Sequence, residues 1–110
     1  MTYLNKYIIR PSPAFEKELE KIYNYITFEL KEPLTAKKFF NQLSKEIYSL
    51  QYFPERYKRI PIYKKTKRNI RKLPFNNYVI IYEVDINARA SIYFAYISQQ
   101  SKLFKSFIIF

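Results

Sequence analysis

Cysteine, histidine, glycine and tryptophan are all missing from this 110-residue chain. Without Cys there can be no disulfide and no thiolate metal site. Without His the commonest metal ligand and the usual general base at neutral pH are gone, so neither a conventional catalytic triad nor a zinc centre can be built. Without Gly there is no glycine-rich phosphate loop of the kind that nucleotide-cofactor enzymes use, and turns that need positive φ fall to Asn, for which Asn76, Asn77 and Asn87 are the candidates. No metal and no cofactor is expected. No apolar run approaches the roughly 20 residues that span a bilayer, and Met1 to Arg10 lack the order of a signal peptide. The expected compartment is the cytoplasm, with no membrane partner.

What is present is an excess of positive charge, and it is uneven. The formal net charge is +11. Residues 1–55 carry eight basic and seven acidic side chains, and residues 73–110 carry three and two. Residues 56–72 carry nine basic ones (Arg56, Lys58, Arg59, Lys64, Lys65, Lys67, Arg68, Arg71, Lys72) and no acid. A base composition that favours Lys, Asn, Ile, Tyr and Phe accounts for abundant lysine; it does not account for acids vanishing from one stretch. Such a run attracts nucleic acid or an acidic partner.

Hydrophobic periodicity gives the elements. Tyr3 to Ile9, rich in aromatic and β-branched residues, reads as a strand stopped by Pro11. Ser12 before Pro13 is a helix-start signal, and Phe15, Leu19, Ile22, Ile26 and Leu30 then mark one helical face. Pro33 separates a second helix with the face Ala36, Phe40, Leu43, Ile47 and Leu50, ending near Phe53 because Pro54 disfavours helical geometry there. Arg56 to Arg68 reads as an exposed loop with at most a short strand. Three strands follow: Asn69 to Phe75, with Ile70 and Lys72 on one face and Arg71 and Leu73 on the other; Tyr78 to Val84, apolar enough for the sheet centre; and Ser91 to Ser98. Asn76-Asn77 and Asp85 to Ala90 are the turns. The tail, Lys102 to Phe110, fits a helical face as well as a strand, buried in the core or against a partner. The order β-α-α-β-β-β implies one α+β domain over 1–110, a helical hairpin on one face of a small twisted, mainly antiparallel sheet.

The series of patterns resembles the RelE/ParE superfamily of toxins from type II toxin–antitoxin systems, and does so over residues 3 to about 98. The resemblance rests on Leu50-Gln51-Tyr52-Phe53-Pro54 at the end of the second helix, on Arg71-Lys72-Leu73-Pro74, and on Asn77-Tyr78-Val79-Ile80-Ile81-Tyr82-Glu83-Val84-Asp85. The segment Ala14 to Ile26 and the joint from Pro33 to Ala36 also fit.

The resemblance implies a growth-inhibiting toxin of the kind that stabilises plasmids. Its partner would be a cognate antitoxin, often acidic in its toxin-binding segment, and a heterotetramer of the two is one expected assembly. The family has two branches. The RelE-like branch cuts mRNA on the ribosome, and the ParE-like branch poisons DNA gyrase. In the nuclease branch a basic residue shortly before the family's Leu is matched here by Lys72, with Arg71 beside it, and these two are the catalytic candidates. The Arg that commonly follows the strand Tyr is Val79. The basic residue or His past the last strand is replaced by Ser98 to Ser101, with Lys102 the nearest cation, and a terminal Tyr falls near Phe107. Lys65 or Lys67 could supply charge and Tyr57 or Tyr63 a proton. These departures favour the ParE-like branch. Arg56, Arg59, Lys64, Lys65, Lys67, Arg68, Arg71 and Lys72 are the expected target- or nucleic-acid-binding residues. The remaining reading is a non-toxic nucleic-acid-binding module, in which Tyr57, Tyr63 and Tyr78 stack bases between phosphate contacts.

Overall fold

The computed structural model describes residues 6–61, 67–87 and 90–99. Its elements are strand β1 (Ile8–Pro11), helix α1 (Pro13–Asn24), a π-helical turn (Tyr25–Glu29), helix α2 (Pro33–Ser49), and strands β2 (Ile70–Phe75), β3 (Tyr78–Asp85) and β4 (Ser91–Gln99). This is the expected order, with two helices packed on a four-stranded sheet. The strands lie in the order β1-β4-β3-β2. The last three form an antiparallel meander, and β1 pairs parallel with β4, which makes the sheet mixed. The expected strand residues Tyr3 to Asn5 and the tail 102–110 lie outside the described residues.

Pro11 is itself the last residue of β1, opposite Phe94. An edge strand tolerates Pro because the missing N–H leaves no ladder bond unmade in the sheet interior. Ser12 then caps α1, its Oγ accepting from the Phe15 N–H at 3.0 Å. The same hydroxyl donates to the Ala95 carbonyl at 2.6 Å, at the place where the β3–β4 register slips by one residue. One side chain thus starts a helix and satisfies a bulge.

The helical stripes hold, with two corrections. Phe15, Ile22 and Ile26 are buried and Leu19 packs against them, but Leu30 is 46% exposed. The π turn is the reason. The Leu30 N–H bonds the Tyr25 carbonyl, five residues back, at 2.9 Å, and the extra residue rotates the next side chains by about 100° off the stripe. Lys31, at φ 54°, then ends the segment in the left-handed region. In α2, Ala36, Leu43 and Leu50 are buried, Phe40 and Ile47 are half-buried, and Phe39 goes fully inside. There its ring meets Phe40, Phe75 and Tyr78 with centroids 5.1–5.8 Å apart. The helix ends at Ser49, four residues before the expected point. Gln51 is drawn away to β1, where its carbonyl accepts from the Tyr7 N–H at 3.0 Å and its Nε2 donates to the Tyr7 carbonyl at 3.1 Å.

Alternation along the strands divides the sheet into two faces. Leu73, Phe75, Ile80, Tyr82, Val84, Ile92, Phe94 and Ile97 meet the helices in the main core. Ile70, Val79 and Ile81 point the other way and form a smaller cluster with Ile60, against which Tyr96 packs. Burying each such side chain contributes roughly 1.5–3 kcal/mol. Asn76 takes the positive φ of the β2–β3 hairpin turn, whereas Asn77 and Asn87 do not; Lys31 and Ala90 use that region instead. Asn87 donates its N–H to the Asp85 carboxylate at 2.9 Å, an Asx turn that needs no left-handed residue.

Candidate target-binding surface

The basic segment is stitched to the sheet edge. Arg59 bridges Arg71 in antiparallel register, with the Ile60 N–H on the Ile70 carbonyl at 2.9 Å and the Lys72 N–H on the Lys58 carbonyl at 3.2 Å. That register sets Ile60 opposite Ile70, which explains why Ile60 is only 2% exposed, and Lys58 opposite Lys72. The expected exposed loop is therefore anchored at its start. Lys64 and Lys65 lie outside the described residues.

The stretch without acids in sequence has acids in space. Arg71 is bound most tightly of the group. Its Nε donates to Asn69 Oδ1 at 2.9 Å, Nη1 to the carbonyls of Glu55 (3.1 Å) and Tyr57 (2.6 Å), and Nη2 to Glu55 Oε2 (3.1 Å). Its side chain is 13% exposed. Arg56 donates to Glu46 on α2 and to the Tyr57 hydroxyl, and lies over the Tyr57 ring. Arg68 holds Glu83 of β3 with two donors, at 2.8 and 3.1 Å. Arg59 donates to the Arg68 carbonyl at 2.8 Å, and its buried Nε has no hydrogen-bond partner among the described residues. Glu46 on α2, Glu83 on β3 and Glu55, which directly precedes the segment, thus neutralise three of the arginines.

Tyr82 extends this latch. Its buried hydroxyl donates to the Pro54 carbonyl at 2.8 Å, so the Phe53-Pro54 step, Arg71 and the Tyr of β3 clamp one loop. Burial pushes the Tyr82 hydroxyl well above its ordinary range. The Tyr57 hydroxyl is also raised, by burial first and then by its bond to the Glu46 carboxylate, to which it already donates its proton at 2.8 Å. It is a weaker acid than a free tyrosine, and its proton is committed. Tyr78 is raised by burial and by the neighbouring Tyr25.

Arg71 and Lys72, adjacent in sequence, leave β2 on opposite faces and cannot grip one small ligand from the same side. Lys72 shares a shallow groove with Lys58, Arg59 and Pro61, which adjoins a second one lined by Arg56, Tyr57 and Pro74. Neither Lys58 nor Lys72 has an ion pair among the described residues. Lys67 is exposed and borders a groove that includes Glu55, Glu83 and Asp85. Lys58 is the residue that sequence reasoning misses: it belongs to the charge run, but only the pairing with β2 brings it to Lys72. Among the described residues no group of three or more acidic side chains could hold a metal, and no helix is long and apolar enough to cross a membrane.

Residues 9–104 match the family model described as the ParE toxin of the type II toxin-antitoxin system, parDE. A search of curated proteins gives no match.

Proposed function

The chain belongs to the ParE toxin family of type II toxin–antitoxin systems, and from that premise we propose that it arrests growth by binding DNA gyrase, without cutting RNA, and is neutralised by its cognate antitoxin. Val79 carries this reading. Where the nuclease branch places an arginine, this residue is apolar, 6% exposed and packed with Ile70 and Ile81. Arg71, the neighbouring candidate, directs its donors to Glu55, Tyr57 and Asn69. Tyr57 donates its proton to Glu46, which leaves it poorly placed as a general acid. Cleavage of a phosphodiester needs a base, an acid and charge stabilisation together, and these positions are engaged in holding the fold.

The purified toxin should block gyrase supercoiling at a low molar ratio; supercoiling that persists at saturating toxin overturns the reading. Induction in cells should arrest growth, and co-expression of the antitoxin should restore it. One observation favours the other branch: Lys72, half-buried, lies on the same sheet face as Val79 and has the exposed Lys58 opposite it. If that face cuts mRNA, toe-printing on translating ribosomes will show A-site cleavage that Lys72→Ala abolishes.

A further inference from the structure

Five of the described basic residues of the 56–72 segment fall into two chemical groups. The arginines at 56, 68 and 71 are each matched to a carboxylate. Lys58 and Lys72 are set opposite each other across adjacent extended segments, where like charges repel. The carboxylate nearest along β3, Glu83, is held by Arg68. Pro61 and Pro74 flank the pair and cannot donate a backbone hydrogen bond. A cross-strand lysine pair with no ion pair among the described residues is an arrangement that an anionic ligand relieves.

Resting on the gyrase reading, the geometry points to the Lys58–Lys72 pair as a contact for the phosphate backbone of duplex DNA, the DNA that gyrase itself holds. A polyanion suits this surface better than an acidic peptide does. Around Lys72 the outer edge of β2, at residues 70–72, is already bridged to residues 58–60, so an incoming strand cannot add to the backbone there without displacing that bridge. An acidic peptide would have only exposed ion pairs, each worth about 0–1 kcal/mol. A nucleic-acid backbone adds the entropy of released counterions for every phosphate neutralised. The surrounding charge, +11 over the chain, steers such a ligand at long range.

The test compares three forms of the full-length protein: wild type, Lys58→Gln/Lys72→Gln, and the control Lys37→Gln/Lys38→Gln, which removes equal charge from the exposed surface of α2. Binding to a fluorescent 25-base-pair duplex is followed by anisotropy as salt is varied. Wild type and control should bind alike, and the 58/72 variant should bind about tenfold more weakly with the log–log salt slope reduced by about two, as expected when two phosphate contacts are lost. The same variant should need a higher concentration to inhibit supercoiling. Equal losses in both double variants would reduce the effect to net charge and overturn the assignment, as would unchanged binding. Tighter binding to poly-glutamate or to single-stranded RNA than to the duplex would also overturn it. If wild type binds the duplex with this lysine dependence but leaves gyrase untouched, the gyrase reading fails while the DNA contact stands, because the anisotropy arm contains no gyrase.

Discussion

Strand β2 presents two neighbouring cations to two different environments. Arg71 faces the helix side, in the same row as Leu73 and Phe75, and its guanidinium is enclosed by the loop at residues 55–57. Lys72 faces the other side, half-buried beside the apolar cluster of Ile60, Ile70, Val79 and Ile81, with a second lysine opposite. The rigid fork of an arginine can satisfy several fixed carbonyl and carboxylate acceptors at once, and a lysine on a flexible stem cannot. In this protein arginine fastens the fold, and the paired lysines remain available to a ligand.

Single substitutions test the contrast. Arg71→Ala should have the largest effect, a loss of about 2–4 kcal/mol, because the Glu55 and Tyr57 carbonyls are left without their donor. Urea unfolding measures it, and Arg71→Lys should recover little of the loss. A destabilisation of under about half a kilocalorie, the range of an ordinary surface change, would remove the claim that Arg71 is a fastener.

Tyr82→Phe comes next, at about 1–2 kcal/mol, since it orphans the Pro54 carbonyl inside the protein. It also reports on pH. The Tyr82 hydroxyl is held above its ordinary value of 10.0, mainly by burial, so the folded chain keeps this proton longer than the unfolded chain does. Stability is therefore complete below about pH 10 and falls as the pH rises beyond it. Equilibrium unfolding between about pH 9 and 11 should show a shallower decline in the Phe variant. Arg68→Ala should cost less than about 1 kcal/mol, because its bidentate bond to Glu83 is largely exposed. Smallest of all, Lys72→Gln should leave stability unchanged or raise it by a few tenths of a kcal/mol by removing the repulsion with Lys58. A marked loss there would mean that Lys72 has a structural role after all.

How much of this was legible in the sequence depends on distance along the chain. The Ser12-Pro13 helix start, the Asn76 turn and the apolar run of β3 are local chemistry, and the fold keeps all three. The alternation of β2 already put residues 71 and 72 on opposite faces. No local pattern says that Glu46, Glu55 and Glu83 return to the arginines, because those contacts span from 10 to 16 residues and depend on how the strands pair. The same limit hid the parallel seat of β1 beside β4, a pairing of residues about 83 apart in sequence. The π turn escaped because its stripe looks α-helical up to Ile26, and only Leu30 shows the slip. Within the site, the charge run was visible, but its division into fastened arginines and paired lysines was not.

The π turn at Tyr25–Glu29 bears on which changes of chain length this protein can accept. One extra residue is stored there without disturbing α1 before it or α2 after it. Removing a single residue between 25 and 29 should let the turn regularise into α-helix, swing Leu30 toward the buried stripe and alter the direction in which the chain leaves for α2. The hairpin is thus a place where natural variants should differ by one residue in length more readily than they differ in the helices on either side.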